Sequence, residues 1–216
     1  VGSGSTGTSY NMNSTDVKIG LGAGETLGTG NFNIAIGFEA GQVGQRGYTG
    51  TDEGELALSS VAIGRKAGRF NQAYPCIAIG TGAGSTFQRA NAIAIGTNAG
   101  ASGQFNQSIA IGTKSGFDNQ QPHSIALGFS AGSSSQQEFG VALGYYSGYQ
   151  IQGIGGVGIG AYSGTYNQGT GAVAIGQAAG NTGQGQNSIA IGFVAGQINQ
   201  PANSIILNSS GSAVNG

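Results

Sequence analysis

The chain has 216 residues, of which 45 are glycine and only 7% are charged, with a formal net charge of −1. That balance excludes a basic nucleic-acid footprint and an acidic disordered tail, and no apolar run is long enough to cross a membrane as a helix. One cysteine, Cys76, excludes an internal disulfide and leaves the redox compartment open.

Residues 1–16 are rich in Gly, Ser, Thr and Asn. Their opening, VGSGSTGTSY, has neither a charged n-region nor an apolar h-region, so it is no signal peptide. It reads as a linker or N-terminal cap, and as the cut edge of a longer protein. At Val17 the chain reads VKIG and at Ile34 IAIG; from Val61 a motif of the form [IV]-A-[IL]-G returns every 16 residues as far as IILN at Ile205. These twelve copies define a repeat domain over 17–207, followed by a short tail, 208–216. A strict period of this size means a stacked array. One insertion, about 46–60, breaks it early and carries Asp52, Glu53 and Glu55; insertions in arrays become loops on one face. In the last copy Ile206 replaces Ala and Asn208 replaces Gly, as in a terminal cap.

Each unit reads [IV]-A-[IL]-G-x-x-[AS]-G-x-x-x-Q-x-x-x-[SA]. A short β-branched triplet stopped by Gly suits a strand and a tight turn, and two glycines per unit disfavour helix. The fold class is therefore all-β: a parallel β-solenoid with two short strands and two turns per coil, equivalent residues stacking ~4.8 Å apart. Stacking explains the scarcity of charge, because a like-charge column would repel at every step. Neutral amides can bond to one another instead. Gln45, Gln72, Gln88, Gln104, Gln120 and every sixteenth residue on to Gln200 form such a column, read as a structural Gln ladder. Side chains alternate along a strand. If the large residues of I-A-I fill the coil, the Ala row faces outward as a flat apolar strip that favours rolls packing side by side.

The strings SIAIGTKSG and AVAIGQAAG resemble the SVAIG repeats of YadA-like heads in trimeric autotransporter adhesins, and the resemblance covers about Val17 to Leu207. It implies a left-handed β-roll assembled as a homotrimer. The 16-residue IAIGxxAGxxxQ unit and the closing NSIILNSSG are more similar still to fibre proteins of large DNA viruses and phages. There a similar segment often precedes a trimerisation chaperone that is cleaved off. The resemblance implies a virion-surface protein, with a bacterial cell surface as the alternative.

Variable positions after each turn are expected to face outward. Phe129, Tyr145, Tyr146, Tyr149, Tyr162 and Tyr166 concentrate there in three successive coils, with Phe129 in register with Tyr145 and Tyr146 with Tyr162. Flat rings with hydroxyl handles suit sugars or a protein partner; they could also fill space between protomers. Arg65, Lys66 and Arg69 on one coil could meet sulfated or acidic glycans, or form a solvated turn.

Catalytic, metal and cofactor readings find little support. Gly128–Gly132 matches G-x-S-x-G, but a nucleophile elbow needs a strand–turn–helix and a His/Asp pair, and neighbouring coils read GTGAG and GTKSG at that place. His123 has no Cys or carboxylate beside it for zinc, and the carboxylates outside the insertion are scattered. Cys76 stands where other coils have Ser or Ala, as a small coil residue. Asn13, Asn106 and Asn208 lie in N-x-[ST] strings, which matter only in a secretory pathway. The expected function is a non-enzymatic fibre or adhesin head that attaches to a host-cell glycan or protein receptor; a spacer without a receptor site is the alternative.

Overall fold

The computed structural model describes residues 10–12, 16–25, 33–42, 60–73 and 75–215. The insertion, Ser60 excepted, lies outside these residues, as do Gln45 and Asn13. All twelve motif triplets are short strands, from Val17–Ile19 and Ile34–Ile36 through Val61–Ile63 to Ile205–Asn208. Each pairs in parallel with its equivalent in the next coil; Ile77 lies against Ile93, Ala78 against Ala94 and Ile79 against Ile95. Tyr10–Met12 pairs antiparallel with Val17–Ile19, which completes a thirteen-stranded sheet. The second strand of the coil, at Thr86–Gln88 and its equivalents to Tyr166–Gln168, builds a parallel six-stranded sheet. Isolated bridges from Phe70 to Thr86 and from Tyr166 through Thr182 to Ile198 extend it. The chain is thus an all-β parallel solenoid of about ten turns, without a helix among the described residues.

One expectation is reversed. The Ala row points inward and is fully buried from Ala35 and Ala62 to Ala190, while the Ile, Val and Leu on either side of it are half-buried or exposed. The reason is room. Two strands so close together leave an interior that must also hold a glutamine from every coil, and Ala is what fits beside it. The small residue seven places into the unit closes the same space: Ala67, Ala83 and Ala99 are fully buried. In the coil at Val157, where Gly158 replaces Ala, the Ser147 and Ser163 hydroxyls take up the room, 2.9 Å apart. The apolar strip of this solenoid is therefore a double row of Ile, Val and Leu rather than a row of Ala.

The glutamine column is the core of the coil. Gln72, Gln88, Gln104, Gln120, Gln136 and their successors to Gln200 are buried. Each amide nitrogen as far as Gln184 donates to the amide oxygen of the next glutamine, at 3.0 Å from Gln136 to Gln152. It also donates to the backbone carbonyl of the strand that opens its coil, at 2.8 Å from Gln136 to Ile125. Both N–H directions are used and the oxygen accepts, so a polar interior costs no unpaired group.

The same packing requires the two glycines of the motif. At Gly112, with φ near +125°, an added Cβ would stand 2.5 Å from the Gly128 carbonyl oxygen of the next coil. At Gly116, with φ near +48°, it would stand 2.5 Å from Oε1 of Gln120. The first glycine lets coils approach and the second lets the ladder amide lie against the turn. At the far end Ile206 is buried in the Ala row and the Asn208 amide donates to the carbonyls of Phe193 and Ser212. Val214 turns back to bridge with Ala195, covering part of the last coil.

Candidate functional site

The turn after each IAIG triplet places the fifth and sixth residues of the unit on one edge of the solenoid, both turned outward except where the sixth is buried, as at Gly82, Ser130 and Val194. A backbone ladder joins them from coil to coil: Gly82 N–H donates to Arg65, Asn98 to Thr81, Lys114 to Thr97, Ser130 to Thr113, Tyr146 to Phe129 and Tyr162 to Tyr145, at 2.8–3.0 Å. Side chains here sit on a framework fixed by hydrogen bonds at every step.

The six aromatic residues form one continuous cluster on this edge. Phe129 stacks on Tyr145 with ring centroids 5.4 Å apart and planes 17° apart, and Tyr146 on Tyr162 at 5.8 Å and 9°. Edge contacts join the two stacks, with Tyr145 4.7 Å from Tyr146 and 5.3 Å from Tyr162. Tyr149 touches Tyr146 at 4.8 Å and Tyr166 at 6.1 Å. Stacking does not bury them: Phe129, Tyr145, Tyr162 and Tyr166 each stay more than 40% exposed. The Tyr145 phenol is held above its ordinary pKa, by desolvation first and then by its hydrogen bond with Tyr162, so it stays a neutral donor and acceptor at physiological pH.

Tyr146 and Tyr162 have φ near +53° and +59°, the left-handed region. The turn imposes this conformation in coil after coil, on Gly82 and Asn98, to which it comes easily, and equally on Lys66, Lys114, Ala178 and Val194. A ring at this place costs about 1 kcal/mol of backbone strain.

Arg65, Lys66 and Arg69 lie on the same edge, four coils toward the N-terminus from Phe129, around a recess of about 190 Å³ that Phe70, Thr81, Ser85 and Asn98 also line. The three cations are not equivalent. The Arg69 Nε–H donates to Oε1 of Gln42 at 3.1 Å, and Glu39 Oε2 stands 3.0 Å from the same nitrogen. With that hydrogen aimed at Gln42, Glu39 makes an ion pair without an aligned hydrogen bond. The guanidinium also lies over Phe70, 4.3 Å from the ring centroid. Arg69 is thereby a structural clamp, whereas Arg65 and Lys66 make no ion pair among the described residues. Sequence reasoning grouped all three and missed the recess wall; the signal was the register, since Thr81, Ser85 and Asn98 belong to the next two coils.

The remaining reactive groups are unremarkable as sites. Cys76 is buried, its thiol pushed up to about 12 by desolvation, and it donates to the Arg89 carbonyl. His123 stacks on Phe139 at 5.3 Å. No group of three His, Cys, Asp or Glu residues that could hold a metal occurs among the described residues. No helix among them is long and apolar enough to cross a membrane.

Comparison with protein-family models, curated proteins and solved structures yields no match for this chain.

Proposed function

We infer that this chain is the head of a non-enzymatic attachment fibre, which binds a host surface through glycan and stands on the outside of a virion. The observation that carries this reading is the exposed cluster of Phe129 and the five tyrosines, held on a hydrogen-bonded edge. Aromatic faces cover the apolar face of a pyranose, and phenol hydroxyls bond its rim.

In this reading the solenoid is left-handed and three chains pack together, as the resemblance to YadA-like heads implies. The half-exposed Ile, Val and Leu rows support a partner along that face: beside a buried Ala row, Ile111, Ile125, Leu143 and Ile191 each stay 36–41% exposed. A continuous apolar strip of this kind marks an association surface. Sedimentation equilibrium of the purified chain is expected to give three times the chain mass; a stable single chain would remove the trimer.

A second reading, a spacer with no receptor site, is favoured by the uniformity of the glutamine column. The two are separated by borrowing residues that the fold already accepts: Tyr145→Thr, Tyr146→Asn and Tyr162→Asn together reproduce Thr97 and Asn98. The triple variant is expected to keep its stability within about 1 kcal/mol, since lost ring stacking offsets relieved strain, and to lose cell and glycan-array binding. Undiminished binding with unchanged assembly would favour the spacer.

A further inference from the structure

The basic recess and the aromatic cluster look like separate features when read along the sequence. In the fold they are two ends of one strip. Beside the ladder from Arg65 to Tyr162 runs a second, through the ninth and tenth residues of the unit: Phe70 N–H donates to Ser85, Thr86 to Ala101, Ser102 to Phe117, Asp118 to Ser133, Ser134 to Tyr149 and Gln150 to Thr165. The recess spans both ladders, and so does the aromatic cluster, through the Tyr146–Tyr149 contact. Between them the edge carries mostly small polar side chains, Thr81, Thr97, Thr113, Ser85 and Ser102, with one exposed ring, Phe117, in the coil before Phe129.

Charge along the strip is one-sided from Val61 onward. Arg65, Lys66 and the exposed Lys114 face outward, and Asp118 is the one carboxylate among these positions. Toward the N-terminus the sign changes, but Glu39 pairs with Arg69 and Glu25 accepts from the Gln42 amide at 3.0 Å. The strip therefore begins at Arg65 and runs toward Tyr166.

We propose that this edge is a single binding track for an extended acidic polysaccharide, with anionic groups at Arg65, Lys66 and Lys114 and sugar rings on the tyrosine cluster. The proposal rests on the glycan-attachment reading and adds to it the ligand's charge, its length and its direction along the solenoid. Coils repeat every ~4.8 Å, close to the length of one pyranose in an extended chain. Arg65 and Tyr145 stand five coils apart, or ~24 Å, so roughly five sugar units bridge the two ends. A sugar polymer laid along the axis meets a chemically similar edge at each unit, and it is held firmly by Arg65 and Lys66 at one end, by Lys114 on the way and by the tyrosine cluster at the other.

The test uses the full chain with size-fractionated sulfated uronate–hexosamine oligosaccharides, from disaccharides upward, and a matched ladder of neutral β-linked glucan. Binding is read by calorimetry for the native protein, the Arg65→Thr/Lys66→Asn variant and the Tyr145→Thr/Tyr146→Asn/Tyr162→Asn variant. These replacements copy Thr97 and Asn98, and circular dichroism confirms that each variant is folded. Affinity for the acidic ladder is expected to rise until the oligosaccharide bridges the track. Either variant is then expected to lower the affinity of a long chain at least about tenfold, toward that of a short one. Equal affinity for short and long acidic chains would overturn the track, as would loss of acidic binding in the cation variant alone. Neutral sugars held by the tyrosines without any preference for acidic chains would overturn the track and leave glycan attachment standing. Failure of every glycan to bind would overturn both.

Discussion

From Val61 onward, a coil satisfies its interior with glutamine: Gln88 donates to Gln104 and to the Ile77 carbonyl, and nothing from outside the coil stack takes part. In the two coils before it, at Val17 and Ile34, the ladder position lies outside the described residues, and the described polar contacts are those of the column that precedes each strand. There the buried Asp16 accepts from the Asn33 backbone N–H at 3.0 Å, and Asn33 in turn accepts from the Ser60 N–H at 3.1 Å. Their outer edge is tied by a polar chain in which Gln42 donates to Glu25 and Arg69 reaches Gln42 and Glu39. The same edge in the coils from Ile125 to Ala172 is covered by stacked rings. A strict period lets one residue type serve every coil through a continuous column. In the column that precedes each strand the residue changes from coil to coil instead: Asp16 and Asn33 accept from the backbone N–H of the next coil, and Ser60 Oγ accepts from the Cys76 N–H.

The largest effect should come from cutting the column. Gln136→Leu removes the acceptor of the Gln120 amide, the donor to Gln152 and the donor to the Ile125 carbonyl. At about 1–3 kcal/mol for each of the three buried groups left with one bond fewer, the loss is roughly 3–9 kcal/mol. Gln200→Leu, at the end of the column with no glutamine beyond it, should cost less. Denaturant unfolding of both variants measures the difference; equal losses would mean that the ladder contributes only its separate bonds to backbone.

The polar clamp should matter less and more locally. Arg69→Ala removes one hydrogen bond and one partly exposed ion pair, together about 1 kcal/mol. In an array whose coils contact only their neighbours, this loss stays near its origin. Hydrogen exchange is expected to quicken at amides of residues 34–42 and to stay unchanged over 109–175. Uniform acceleration along the rod would show that the irregular coils and the regular ones open as one unit.

The twelve strands, the pairing of each residue with the one 16 further on and the glutamine ladder were all legible in the sequence, because a repeat converts spacing directly into contact. For the same reason, Phe129 could be placed on Tyr145 and Tyr146 on Tyr162. The direction of the Ala row was not legible by hydrophobicity alone. Alternation says that Ala78 and its neighbours Ile77 and Ile79 face opposite sides, and Ile is the stronger candidate for burial. Coil width decided otherwise, and the clue was Gln88: a residue that must be enclosed for its amide to be ordered leaves space for Ala only. The role of Arg69 was hidden for another reason. Its partners Glu39 and Gln42 lie across the broken period, where register gives no guide.

The smallest effect at neutral pH tests whether a slot in the column of small residues tolerates chemistry as readily as the period suggests. Cys76 occupies the place that Ser60, Ser108 and Ser124 fill in other coils. At neutral pH, Cys76→Ser should change stability by less than about 1 kcal/mol, one hydroxyl bond replacing one thiol contact. Alkaline pH should separate the proteins. Burial raises the folded thiol from 9.0 to about 12, so the contribution of its neutral form is complete below pH 9 and is lost as pH rises toward 12. By pH 11 the native protein should lose up to about 3 kcal/mol that the serine variant keeps. Unfolding of the two proteins measured side by side from pH 8 to pH 11 cancels the tyrosine titrations common to both. Parallel curves, or rapid reaction of the folded thiol with an alkylating reagent at pH 8, would show that Cys76 is reached by solvent and that its coil is less closed than those around it.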